Sequence, residues 1–143
     1  MEELYELRSH LEHGRYAEAL ILLGEMEEMS RDDKLNKIGS FVQIMLLHLI
    51  KRTAEKRTTR SWDISIHNAV AEIIRSNKRR KAGGYYLALD ELREAIDENY
   101  ESALRLASLE AFGGVYNPSQ LDEMIDGESV KQEALILLQK AQL

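Results

Sequence analysis

The chain has 143 residues, a formal net charge of −6, one proline and no cysteine. This length suits a single domain with one hydrophobic core. The absence of cysteine excludes disulfides, thiolate metal sites and a cysteine nucleophile. The N-terminus is acidic and amphipathic, which is not typical of a signal peptide. The longest apolar run, 38–50, is shorter than the roughly 20 residues that a membrane span needs. We therefore expect a cytoplasmic protein without a membrane segment.

The first half of the chain has the apolar spacing of helices. Leucines at positions 4, 7 and 11 predict a short amphipathic helix that Gly14 ends. A second helix is expected over 15–29. Ser30 and Asp33 have the spacing of a capping box, which predicts the start of a long central helix over 31–55.

The second half continues this pattern. Ser61 is expected to cap a helix that begins at Trp62, and a long helix is expected over 85–111 after two glycines. Pro118 predicts the start of a short helix, and the last amphipathic helix follows it. The sequence therefore predicts an all-α, single-domain bundle of about six or seven helices. We expect the bundle to occupy 1–126, and the C-terminal helix in 127–143 to pack on it or on a second subunit.

Four stretches of the chain resemble one protein family. They are Gly24-Glu-Met-Glu-Glu-Met-Ser30, Met45-Leu-Leu-His-Leu-Ile-Lys51, Arg60-Ser-Trp-Asp-Ile-Ser-Ile66 and Tyr100-Glu-Ser-Ala-Leu-Arg-Leu-Ala107. Together they resemble an uncharacterised bacterial family known as domain of unknown function 29, over roughly residues 5–126. Gly24 departs from the family pattern, which has glutamate there, and the aromatic N-terminal lead-in is shortened. The resemblance implies a compact helical domain and brings no established activity.

A candidate functional cluster surrounds the end of the central helix. It comprises Glu25, Glu27, His48, Lys51 and Trp62. His48 lies among leucines, where it either makes one hydrogen bond in the core or pairs with Glu25 or Glu27 across the predicted turn at Ser30. Trp62 either closes one end of the bundle or anchors a partner, with Lys51 and Arg60 as neighbouring cations.

The charge is unevenly distributed along the chain. Ten Lys and Arg against three acidic residues give the segment 51–81 a charge of +7, and the remainder carries −13. The candidate anion or partner patch within this segment consists of Arg57, Arg60, Lys78, Arg79, Arg80 and Lys81. Such a patch pairs with the acidic helices, binds an acidic protein, or binds the phosphates of nucleic acid.

No motif points to catalysis. The sequence has no Glu-x-x-His pair of a di-iron bundle and no nucleophile elbow. We therefore expect no catalytic residue, no metal and no cofactor. The favoured function is a non-enzymatic protein-interaction or structural module, with itself as a candidate partner in a homodimer through the last helix. The alternative is a nucleic-acid-binding accessory protein that uses the basic segment 51–81.

Overall fold

A computed structural model describes residues 2–79 and 83–142. The helices are α1 (Glu2–Glu12), α2 (Tyr16–Glu55), α3 (Arg60–Asn77), α4 (Leu89–Glu110), α5 (Pro118–Glu123) and α6 (Gly127–Gln142), with a short 3₁₀ turn at Ala111–Gly114. Within these described ranges the only β-type pairing is an isolated bridge between Lys78 and Tyr85. The predicted all-α fold is confirmed.

The predicted helix break at Ser30 was wrong, because α2 runs through it without interruption. Ser30 and Asp33 are exposed within the helix, so their side chains can face water instead of capping a helix end. No glycine or proline occurs from 25 to 38, and Glu, Met, Lys and Leu in this stretch favour helix. Continuous helix propensity therefore outweighs the capping signal.

The starts of two further helices differ from the predicted positions. Thr59 caps α3 in place of Ser61, and its hydroxyl accepts a hydrogen bond from the Trp62 backbone N–H at 3.1 Å. The fourth helix begins at Leu89 and not at residue 85, because Gly83 and Gly84 adopt positive φ angles and the Leu87 backbone bonds to a side chain of α3. The predicted start of α5 at Pro118 is confirmed, and Asn117 is its cap.

The chain divides into two compact units, residues 1–35 and 36–143. The first unit contains α1 and the beginning of α2, joined by a turn in which Gly14 has a φ of +72°. This turn ends α1 as predicted. Helix α1 has no buried residue within its bounds, and Ala19 is buried on α2. Large apolar side chains therefore stay in contact with solvent in this unit.

The second unit contains the hydrophobic core. Helix α6 packs against α3 and α4, and α5 packs against α4. Residues 39 and 51 of α2 lie beside residues 99 and 110 of α4, so these two helices run in the same direction. The fully buried core side chains include Ile38, Met45, Leu46, Leu49, Ile50, Ile73, Leu92, Ile96, Leu121 and Leu138.

Two glycines allow close contacts in this core. A Cβ atom on Gly39 would lie 3.2 Å from the Asn99 amide nitrogen, so α4 approaches α2 closely there. A Cβ atom on Gly127 would lie 2.7 Å from the Tyr100 hydroxyl oxygen. A larger residue at Gly127 would displace the Tyr100 side chain, and one at Gly39 would crowd the Asn99 side chain.

Candidate functional site

A solvent-open groove of about 1000 Å³ runs between α3 and α6 in the second unit. Apolar side chains of α3 recur about once per helical turn along the groove, and apolar side chains of α6 line its other side. One face of each helix therefore contributes to the groove. The apolar lining residues are Ile66, Val70, Ala71, Ile74, Leu137 and Ala141. An apolar, open trough of this kind suits an elongated apolar surface better than a small polar molecule.

Four cationic residues and one acidic residue line the groove. The cations are Arg52, Arg75, Lys78 and Lys140, and the acid is Asp63. At one end Arg52 pairs with both Asp63 (3.5 Å) and Glu133, so its charge is neutralised. Lys78, which follows the end of α3, and Lys140, in the last turn of α6, are exposed and make no ion pair with any residue that the structure describes. The positive charge of the groove therefore lies toward the C-terminal ends of the two helices.

A buried asparagine, Asn77, fixes the backbone at the end of α3 by hydrogen bonds. Asn77, which is completely buried, donates from Nδ2 to the Leu87 carbonyl (3.1 Å) and accepts from the Leu87 N–H (2.7 Å). The Tyr86 N–H also donates to the Asn77 carbonyl at 2.8 Å. These bonds close the chain segment that follows α3, and they fix Lys78 directly after a rigid residue.

The Trp62 cluster lies at the junction of α2 and α3, and comprises Lys51, Glu55, Arg57, Trp62 and Glu110. The Lys51 ammonium is buried, 3.1 Å from a Glu110 carboxylate oxygen and 4.8 Å from the centre of the Trp62 ring. Arg57 also lies 4.8 Å from this ring. The Trp62 ring is therefore within cation–π distance of two cations from the end of α2 and the segment that follows it.

Glu55 completes the Trp62 cluster from α2. It accepts the backbone N–H of Phe112 (3.2 Å) and the Nε–H of Arg57 (2.9 Å). Burial acts to raise the pKa of Glu55, but the Phe112 hydrogen bond, Arg57 and Lys51 together lower the pKa below its ordinary value of 4.5. Phe112 has a φ of +52°, so this bond holds a bulky residue in a disfavoured conformation.

The other predicted cluster residues are divided between the two units, with His48 in the second and Glu25 and Glu27 in the first. The His48 Nδ1–H donates to the Ile44 carbonyl of its own helix at 2.9 Å. Among the described residues no hydrogen bond or ion pair joins His48 to a carboxylate. Glu25 and Glu27 are exposed on the part of α2 that belongs to the first unit. The structure brings Lys51 and Trp62 together, whereas the joint role of all five residues stays a prediction.

The predicted anion or partner patch is spread over several places. Arg57 lies in the Trp62 cluster, Arg60 is exposed at the start of α3, and Lys78 lines the groove. Arg79 lies 5.8 Å from the centre of the Tyr86 ring. Arg80 and Lys81 lie outside the described residues. Arg57 and Lys78 therefore belong to opposite ends of α3, which is about 27 Å long.

A second polar cluster joins α4 to α6. Burial, followed by the nearby carboxylate of Asp122 at 3.1 Å, raises the pKa of the Tyr100 hydroxyl. Lys131 lies 4.9 Å from the Tyr100 ring and pairs with Asp97 and Glu128 at 3.3 and 3.4 Å. Burial opposes the charge on Lys131, but these two carboxylates raise its pKa above the ordinary value. The charged groups of this cluster interact with one another, and the cluster stabilises the packing of α4 against α6.

Sequence reasoning missed the groove as a site. Leu137 and Lys140 were predicted only as parts of an amphipathic last helix, and His67 and Val70 as parts of another. The pairing of α3 with α6 depends on tertiary packing, which no local pattern specifies. The available signal was the cation that ends each helix, Lys78 and Lys140, just past an apolar stripe.

The described residues contain no group of three or more His, Cys, Asp or Glu that could hold a metal ion. None of the described helices is long and apolar enough to cross a membrane.

The fold and the groove define an all-α helical domain with an open groove between two helices, lined by apolar and cationic side chains. Residues 9–118 match the family model described as domain of unknown function DUF29, so the chain belongs to that family. No curated protein and no solved structure matches the chain.

Proposed function

We propose that the protein is a non-enzymatic interaction module whose α3–α6 groove binds an acidic amphipathic helix of a protein partner. The observation that carries the proposal is the pairing of an apolar groove with two exposed cations, Lys78 after the end of α3 and Lys140 in the last turn of α6. An amphipathic helix laid in such a groove buries its apolar side on α3 and α6. Its acidic residues then lie beside the two lysines.

The charge pattern sets the orientation of the bound helix. Arg52, the groove-lining cation near the start of α3, is already paired with Asp63 and Glu133 and is not available to a partner. Lys78 and Lys140 are the charges available for a partner. Electrostatic pairing at one end of an apolar groove fixes register and raises the association rate more than it adds affinity.

Fluorescence anisotropy with two labelled helical peptides tests the proposal. Both carry the same apolar stripe, and one bears glutamates where the other bears lysines. The acidic peptide should bind, and Lys78→Glu combined with Lys140→Glu should weaken binding by about tenfold or more. Arg105→Glu, on an exposed position of α4 outside the groove lining, is the matched control and should bind as the unaltered protein does. Equal binding of the two peptides, or none, would contradict the proposal.

Nucleic-acid binding is the second candidate function, and one feature favours it. Lys78 and Arg79 are exposed after the end of α3, and Arg79 lies 5.8 Å from the centre of the Tyr86 ring. Phosphate contacts from such residues would make binding strongly salt-dependent. Replacing Arg79, Arg80 and Lys81 by alanine should then weaken oligonucleotide binding at low salt. A flat titration with single-stranded and duplex oligonucleotides would remove this candidate.

Four of the basic residues in 51–81 are already committed to carboxylates. Lys51 pairs with Glu110, Arg52 with Glu133, Arg57 with Glu55, and Arg75 with Glu72. This internal pairing lowers the positive charge available to phosphates and supports the protein-binding candidate over the second one. The bacterial origin and the cytoplasmic location expected from the sequence stay predictions.

A further inference from the structure

We infer that the acidic helix bound in the α3–α6 groove is supplied by a second copy of this chain, from the α2 portion of its first unit. The inference rests on the proposed function of the groove and names its partner. It assigns the exposed apolar surface of the first unit to the groove of another molecule. Three features of the first unit support it.

The first feature is exposed apolar area. Leu20 and Ile21 are 69% and 66% exposed on α2, which is unusual for large aliphatic residues of a folded domain. With 3.6 residues per turn, Leu20 and Ile21 lie about 100° and 160° around the helix from buried Ala19. These side chains therefore offer an apolar stripe that is not used for packing within their own unit.

The second feature is a glycine within this stripe. Gly24 lies one turn after Leu20 and Ile21, and a Cβ atom there would meet no atom within 4 Å. Glycine inside a helix costs about 0.5–1 kcal/mol relative to alanine. Packing against the described residues gives no reason for that cost, whereas close approach of another helix does.

The third feature is charge. Residues 1–35 contain ten acidic and four basic residues, a net charge of −6, and 36–143 contain fifteen of each. The exposed residues Glu27 and Glu28 follow the apolar pair by about two helical turns. A second copy of the same acidic surface would repel this one. The positive end of the groove attracts it instead.

The spacing along the two surfaces also agrees. From Leu20 to Glu28 the chain advances eight helical residues, about 12 Å. From Val70 to Lys78 in the groove it also advances eight residues, about 12 Å. A helix placed parallel to α3 with Leu20 near Val70 therefore brings Glu28 level with Lys78, and Lys140 lines the same groove from α6. In the inferred dimer each copy makes this contact with the groove of the other, and α6 takes part as one wall of the groove.

Charge reversal in two separate chains tests the inference. One variant combines Glu27→Lys with Glu28→Lys, and the other combines Lys78→Glu with Lys140→Glu. All four positions are exposed, so folding should be retained and is checked by circular dichroism. The unaltered protein should have twice the 16.4 kDa mass of one chain by light scattering. Each variant alone places like charges in both contacts and should be monomeric.

An equimolar mixture of the two variants gives the decisive result. It pairs opposite charges in both reciprocal contacts, so a heterodimer should form with an affinity within about tenfold of the original. A mixture that stays monomeric, a single variant that stays dimeric, or an unaltered protein that is monomeric would overturn the inference. If the acidic peptide still binds the groove in that case, the proposed function stands and only the identity of the partner is wrong. If the peptide also fails to bind, both fall.

Discussion

Asn77 and Leu87 are joined by two reciprocal hydrogen bonds, of 3.1 Å from the Asn77 amide to the Leu87 carbonyl and 2.7 Å from the Leu87 N–H to the Asn77 oxygen. Both residues are buried, so water cannot replace either bond. A single side chain thus satisfies a backbone donor and acceptor across ten positions of sequence. The same contact fixes the end of α3, where Lys78 enters the groove.

Asn77→Ala should lower the free energy of unfolding by about 2–4 kcal/mol, because it leaves a buried N–H and a buried carbonyl without partners. Urea denaturation followed by circular dichroism measures the change. Asn68→Ala is the matched control: Asn68 is exposed on the same helix, and alanine there should be neutral or slightly stabilising. Equal effects of the two substitutions would show that the Asn77 bonds contribute nothing.

Gly127→Ala should destabilise the protein by about 1–3 kcal/mol, since its Cβ would lie 2.7 Å from the Tyr100 hydroxyl oxygen. In a Tyr100→Phe background the hydroxyl is absent, and the cost of Gly127→Ala should be smaller. Gly24→Ala is the opposite case, because open space surrounds that position. It should raise the stability of a monomeric variant by about 0.5–1 kcal/mol. Additive effects of the Gly127 and Tyr100 substitutions would contradict the proposed clash.

Lys51→Gln should cost about 1–3 kcal/mol, whereas Arg57→Gln should cost less than about 0.5 kcal/mol. Both cations lie 4.8 Å from the Trp62 ring. The Lys51 side chain is only 7% exposed, however, and that of Arg57 is 55% exposed. Solvent screens the Arg57 interactions and leaves those of Lys51 strong. Thermal unfolding followed by Trp62 fluorescence compares the two, and a larger loss for Arg57→Gln would be inconsistent with this burial.

Glu55 should make stability depend on pH in the acid range. Its pKa is lowered in the folded protein, so the charged form stabilises the fold above the ordinary pKa of 4.5. This stabilisation is lost as the pH falls through the folded-state pKa. The difference in unfolding free energy between the unaltered protein and Glu55→Gln should therefore be constant near neutral pH and shrink below 4.5. A difference that grows on acidification would contradict the stated direction of the shift.

The sequence predicted helices well because each one carries its own apolar stripe, as at Ile66, Ala69 and Ile73 on α3. Gly14 and Pro118 also marked their boundaries correctly, because their effects on the backbone are local. The predicted helix start after Ser30 was wrong because a capping box is a weak signal inside a run of good helix formers. The site was harder to predict. The approach of Lys140 to the same groove as Lys78 depends on how two distant helices pack, and each helix alone has an ordinary amphipathic pattern.

The groove itself can be probed directly, because the chain has no cysteine that would compete for a label. Val70→Cys places an environment-sensitive dye within the groove, and Asn68→Cys places the same dye on an exposed part of α3 outside the groove lining. On titration with the acidic amphipathic peptide, the dye at position 70 should show a saturable blue shift and the dye at position 68 should not. A shift of equal size at both positions, or no shift at position 70, would contradict the assignment of the α3–α6 groove as the binding site.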